Sequence, residues 1–172
     1  AGMNVNHIMD KCGEPLVVAI YGDDVAMARF LLEKGANANS FSFFPCHHYL
    51  ELAAQFASCD LLIALLDHGA KIPGSSALFG AATAGNIGAA ELLLQRGADV
   101  NEHMQNEILD GPLGDRGTAL HAAAEHGKSD MVTFLLKHGA RTDVKDGWSK
   151  TPRDLAEKHG KTDIVKILDE AE

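Results

Sequence analysis

The sequence predicts an all-α fold: a solenoid of stacked helix-turn-helix units with projecting hairpin or loop fingers. Three observations point to it. One stretch recurs in register along the chain, glycines fall where two short helices per copy would end, and apolar residues recur three and four apart in each second helix.

The units follow in order. The first, PLVVAIYGDDVAMARFLLEKGAN, supplies Leu16, Ala19, Leu31, Leu32, Gly35 and Ala36; the second, LELAAQFASCDLLIALLDHGA, supplies Leu50, Ala53, Ala54, Leu65, Leu66, Gly69 and Ala70. The third reads SSALFGAATAGNIGAAELLLQRGADVN and the fourth, the clearest, RGTALHAAAEHGKSDMVTFLLKHGARTD. The fifth, KTPRDLAEKHGKTDIVKIL, lies 33 residues beyond the fourth. One domain thus covers 1–172, with units near 13–39, 47–72, 75–102, 117–146 and 150–172.

Each unit makes physical sense. Thr118 or Thr151 can cap a helix start with its hydroxyl, and Pro152 fits the first helical position, where a missing N–H costs nothing. Alanines such as Ala81, Ala82, Ala123 and Ala124 let the first helices approach closely. Gly85, Gly127 and Gly160 supply the left-handed residue that stops them. Second helices carry pairs such as Met131, Val132, Leu135 and Leu136, and Gly35, Gly69, Gly97 and Gly139 end them. Such a hairpin cannot bury its apolar face alone, so neighbours must stack.

TALHAAAEHG, TPRDLAEKHG and LLLQRGADVN resemble the ankyrin repeat, with its Thr-Pro-Leu-His opening and Gly-Ala-Asp-Val-Asn close. The resemblance implies a curved stack whose members usually bind proteins through the fingers and the concave face of the first helices. It also implies a structural role for His121, holding adjacent loops. Gly2-Met3-Asn4-Val5-Asn6 resembles the close of a preceding unit, the trace of a sixth.

The fingers differ in length. Gly139 to Thr151 spans 12 residues, Gly69 to Ser76 only 7, and Gly97 to Thr118 spans 21. The second finger should therefore be clipped to a turn around Pro73-Gly74, and the third carries an insertion at 103–115. Asp23 and Ala57 stand where the first helix usually ends in glycine. Ala tolerates the left-handed region poorly, so the second unit's turn should be distorted. Arg153 replaces the opening leucine of the last unit, as a polar cap would.

Fifteen Lys and Arg stand against 24 Asp and Glu, a formal charge of -9. That argues against nucleic acid and suits a basic protein or peptide partner. Three cysteines without framework spacing suit an intracellular protein, cytoplasmic or nuclear. Apolar runs are too short for membrane insertion, and no secretory leader opens the sequence. No phosphate loop, serine elbow or His-Glu-x-x-His motif is present, so no enzyme and no cofactor are expected. The nine histidines lack metal-site spacing, so no metal is expected either.

Binding candidates remain. Phe41, Phe43 and Phe44 crowd one finger, as partner anchors or as packing on a neighbouring finger. Trp148 sits at the tip of the last finger. In the insertion, Met104, Ile108, Leu109 and Leu113 can form a contact patch or fold back. The resemblance places Tyr21, Phe56, Thr83, Glu125, His126 and Lys158 on the concave side. A rival reading is a small-molecule pocket or atypical enzyme between the first and third fingers, with His47, His48 or His103 beside Glu102, Glu107, Asp110 or Asp115. A third is a spacer whose partner is the remainder of a longer polypeptide.

Overall fold

Short helices dictate the architecture. The computed structural model describes residues 14–40, 47–104 and 115–171. Its helices pair as α1 (Pro15–Tyr21) with α2 (Val25–Glu33), α3 (Tyr49–Phe56) with α4 (Cys59–Asp67), and α5 (Ala77–Ala84) with α6 (Ile87–Gln95). Then come α7 (Ala119–Glu125) with α8 (Ser129–Lys137), and α9 (Pro152–Lys158) with α10 (Thr162–Asp169). Helices this short do not persist alone in water, so their stability comes from stacking. The odd-numbered helices form an inner row, each packed on the next, and the even-numbered helices line up behind them.

Small residues set the inner spacing. A Cβ added to Gly80 of α5 would meet the Glu51 carbonyl oxygen of α3 at 2.7 Å. The fourth residue after each inner helix's cap therefore faces the preceding unit. Behind this row, Leu31, Leu65, Leu93, Leu135 and Leu168 occupy equivalent buried positions in one continuous core.

Polar side chains lock the units together. Asn39 donates to the Gly69 carbonyl and accepts from the Lys71 N–H; Asn101 repeats this with Gly139 and Arg141, one finger to the next. Buried His121 accepts the Thr118 N–H at Nδ1, 3.0 Å, and its Nε2–H donates to the Lys150 carbonyl, 3.1 Å, tying α7 to the following finger. Burial holds its pKa below the ordinary 6.5, against the Lys150 hydrogen bond, which acts to raise it.

The departures resolve locally. Asp23 adopts the left-handed conformation, φ 49°, and its carboxylate accepts from both the N–H and the hydroxyl of Ser58. Ala57 avoids that region by staying extended, φ -107°, so α3 ends without the left-handed stop found at Gly85 and Gly127. The clipped finger turns at Pro73-Gly74, where Gly74 takes φ 77° and the Ser75 N–H closes onto the Ile72 carbonyl. Thr151 and Asp154 cap α9 reciprocally, with Pro152 opening the helix. Among the described residues no helix is long and apolar enough to cross a membrane.

Candidate binding face

Side chains at the C-terminal ends of the inner helices leave the core and project from one edge of the stack. Tyr21 at the end of α1 and Phe56 at the end of α3 are about half exposed, with ring centroids 5.8 Å apart. This pairing is unusual: large exposed aromatics in contact cover each other only partly and remain available for a partner. Thr83 comes next along the row, its hydroxyl donating to the Phe79 carbonyl. Glu125 and Lys158 follow on α7 and α9.

At that far end the face deepens into a hollow of about 420 Å³ beneath the last finger. Leu155 lies nearly buried in its lining, Trp148 is 48% exposed, and Arg116, Lys150 and Lys158 contribute cations. The finger itself is rigidly built. Buried Asp146 accepts from the N–H groups of Trp148 and Lys150 at 2.9 and 2.8 Å, and the Gly147 N–H donates to the Asp115 carbonyl. These bonds fix the backbone of the finger tip from which the exposed Trp148 projects. Glu125 faces Arg116 at 3.5 Å and His159 at 3.8 Å; Arg116 also lies over the Phe79 ring, 5.2 Å from its centroid.

The other candidates fall differently. His126 is exposed, but its Nδ1–H donates to the Ala122 carbonyl; His68 and His138 make the same bond to Ala64 and Phe134. These histidines cap helix ends, leaving only the second nitrogen of His126 for a partner. Met104 corrects an expectation: it is no part of an exposed patch but a core residue, 5% exposed. Its backbone pairs with the strand-like return of the insertion, Met104 N–H to Gly117 carbonyl at 2.7 Å and Arg116 N–H to Met104 carbonyl at 3.3 Å. His103 and Asp115 close the same base at 3.0 Å. The insertion is therefore clamped at its root, which hydrophobicity alone did not indicate. Phe41, Phe43, Phe44, Ile108, Leu109 and Leu113 lie outside the described residues.

The rival pocket gains little from its candidate histidines. His47 stands 2.9 Å from the buried Glu51 carboxylate, which raises the His47 pKa through that contact against the opposing effect of burial. Glu102 accepts from the Gly74 N–H, and His103 is taken by Asp115. These are structural contacts: the first lies within the second unit, the second joins neighbouring fingers and the third closes the root of the insertion. Among the described residues no three His, Cys, Asp or Glu side chains converge as a metal site would require.

Sequence reading missed Arg116, Lys150 and Leu155 as parts of the face. Arg116 and Lys150 lie next to unit boundaries and Leu155 lies inside α9, and the repeat pattern, which describes stacking, carries no signal for what converges across two units. Lys150 and Trp148 flank a left-handed Ser149, φ 59°, and that turn brings both to the same hollow.

Known proteins add an independent comparison. A family model described as ankyrin repeats (3 copies) matches residues 78–172. Human cyclin-dependent kinase inhibitor 2A is 33% identical over 132 residues, covering 74% of this chain and 79% of that protein. Bovine cyclin-dependent kinase 4 inhibitor B is 38% identical over 84 residues, 49% of this chain and 58% of that protein. Serine/threonine-protein kinase 12 of Arabidopsis thaliana is 34% identical over 105 residues, yet the match takes in only 21% of its length.

Proposed function

The chain belongs to the ankyrin-repeat family, and from that premise we propose that its protein partner docks along the inner-helix edge, from the Tyr21–Phe56 pair to the hollow under Trp148. It is a protein-interaction module and works by binding, not as an enzyme. The observation that carries the assigned surface is the row of exposed and half-buried side chains at the ends of successive inner helices, closed at one end by paired aromatics and at the other by a tryptophan on a hydrogen-bonded finger tip. A partner binding there meets groups already positioned, so little ordering entropy opposes association.

The names of the kinase inhibitors nominate a cyclin-dependent kinase as the partner class. The finger aromatics Phe41, Phe43 and Phe44 and the insertion's Ile108 and Leu109 extend the proposed surface, with Glu125 and His126 as its polar contacts. The formal charge of -9 favours a partner whose approaching surface is basic overall and disfavours nucleic acid. A partner of this kind places the protein in the cytoplasm or nucleus.

Binding of purified cyclin-dependent kinase catalytic subunits to the chain tests the proposal. Tyr21→Ala, Phe56→Ala and Trp148→Ala combined should weaken the complex at least about 100-fold, because exposed aromatics dominate such interfaces. Helical content should stay unchanged, since all three rings are largely outside the core. Unaltered affinity of the triple variant overturns the surface. Failure of every kinase tested, with another protein captured through the same residues, overturns the partner class and leaves the surface standing.

A further inference from the structure

The hollow beneath Trp148 runs against the charge of the rest of the chain. Three cations, Arg116, Lys150 and Lys158, share it with two carboxylates, Glu125 and Asp146. Both carboxylates are already engaged: Asp146 by the N–H groups of Trp148 and Lys150, Glu125 by Arg116 and, at longer range, His159. Among the described residues neither Lys150 nor Lys158 has a carboxylate within 4 Å; Lys150 acts at longer range on Asp154, whose carboxylate is itself taken by the Thr151 N–H in capping α9, and the indole N–H has no protein acceptor. The apolar part of the same lining is the exposed indole and, deeper, the nearly buried Leu155.

We propose that this hollow is an anchoring subsite for an acidic segment of the partner that carries a leucine-like side chain beside a carboxylate. The aliphatic group packs on Leu155 against the Trp148 ring, and the carboxylate lies between the Lys150 and Lys158 ammonium groups. A basic segment would bring a cation to the same two lysines with no free carboxylate to receive it. The contrast with the overall charge of -9 is a matter of range: net charge acts on approach, while screening confines contact preferences to about 8 Å at physiological salt. A partner that is basic overall but offers an acidic, leucine-bearing segment satisfies both, and the opposition between them contributes specificity.

The inference rests on the inner edge being the docking face, and the test separates the two. Trp148 is the one tryptophan of the chain, so its emission reports the hollow alone. Three short amidated peptides serve as probes, alternating leucine with glutamate, with glutamine or with lysine. The glutamate peptide should produce a saturable emission change and bind at least about tenfold more tightly than the glutamine peptide, a margin that raised salt erodes. Lys150→Gln with Lys158→Gln should reduce its affinity to that of the glutamine peptide, and Lys150→Glu with Lys158→Glu should transfer the preference to the lysine peptide. Circular dichroism confirms folding of each variant. No emission change with any peptide, equal affinity for all three, or tightest binding of the lysine peptide by the unaltered chain overturns the subsite. If that occurs while partner capture still depends on Tyr21 and Phe56, the docking face stands and this inference alone falls.

Discussion

The two ends of the stack carry the same structural positions and treat them oppositely. At the second residue of each inner helix, Leu16, Leu50, Leu78 and Leu120 lie buried in the core, but the last unit places Arg153 there. Its guanidinium reaches Asp169 at 2.6 Å and Glu157 at 3.1 Å, converting a stacking position into a polar cap. The first unit makes no such exchange. Met27 of α2 corresponds to Leu61, Ala89, Met131 and Ile164, each 1% exposed or less, yet Met27 is 47% exposed. Val18 and Phe30 stand beside it, similarly open, although Leu52 at the position of Val18 is fully buried. Among the described residues no helix packs on that face of the first unit, although all five units share one pattern of apolar residues. Burial in a solenoid belongs to the pair of units in contact, so an identical side chain is core in one unit and surface in another.

The sharpest way to break that comparison is to truncate equivalent residues. Leu61→Ala should cost about 2–5 kcal/mol in urea unfolding, whereas Met27→Ala should cost less than about 0.5 kcal/mol. Equal losses would mean that the first unit's open face is covered after all. Gly80→Ala comes next. Helix propensity favours alanine, but its methyl would press on the Glu51 backbone, so a net loss of about 1–3 kcal/mol is expected from thermal melts. A gain in stability would show that the inner helices are spaced more loosely than described.

Acid and base titration probe two structural histidines with opposite sign, one joining units and one within a unit. His121 has a folded pKa below 6.5, so its contribution is present above that value and is lost as pH falls below it. His47 has a folded pKa above 6.5, so its contribution is complete below 6.5 and is lost as pH rises through the raised value. Urea midpoints measured between pH 5 and 8 should therefore rise with pH more steeply in His47→Gln than in the unaltered chain, and less steeply in His121→Gln. Parallel curves would remove both assignments. The smallest effect belongs to Arg153. Its exchange for leucine should leave the melting midpoint nearly unchanged while promoting concentration-dependent association, visible by sedimentation, because the polar cap is lost.

Exposure was legible in outline. Tyr21, Phe56 and Trp148 stand exposed where the repeat register places them. Met104 did not, because an apolar residue at the root of a long insertion has the same composition signal whether it projects or folds inward. Only the pairing of its backbone with Gly117 settles which. Leu155 and Lys150 joined the hollow unannounced for a related reason: convergence across a unit boundary has no sequence period.

Periodicity, glycine stops and capping residues by themselves determined the helix pairs, their order and the interior leucines, because these depend on local backbone preference and on which residues must leave water. Tertiary structure alone decided which cations and apolar groups share the hollow and which aromatics touch. Those outcomes depend on distances between units, and a distance across an interface is a property of the packed chain.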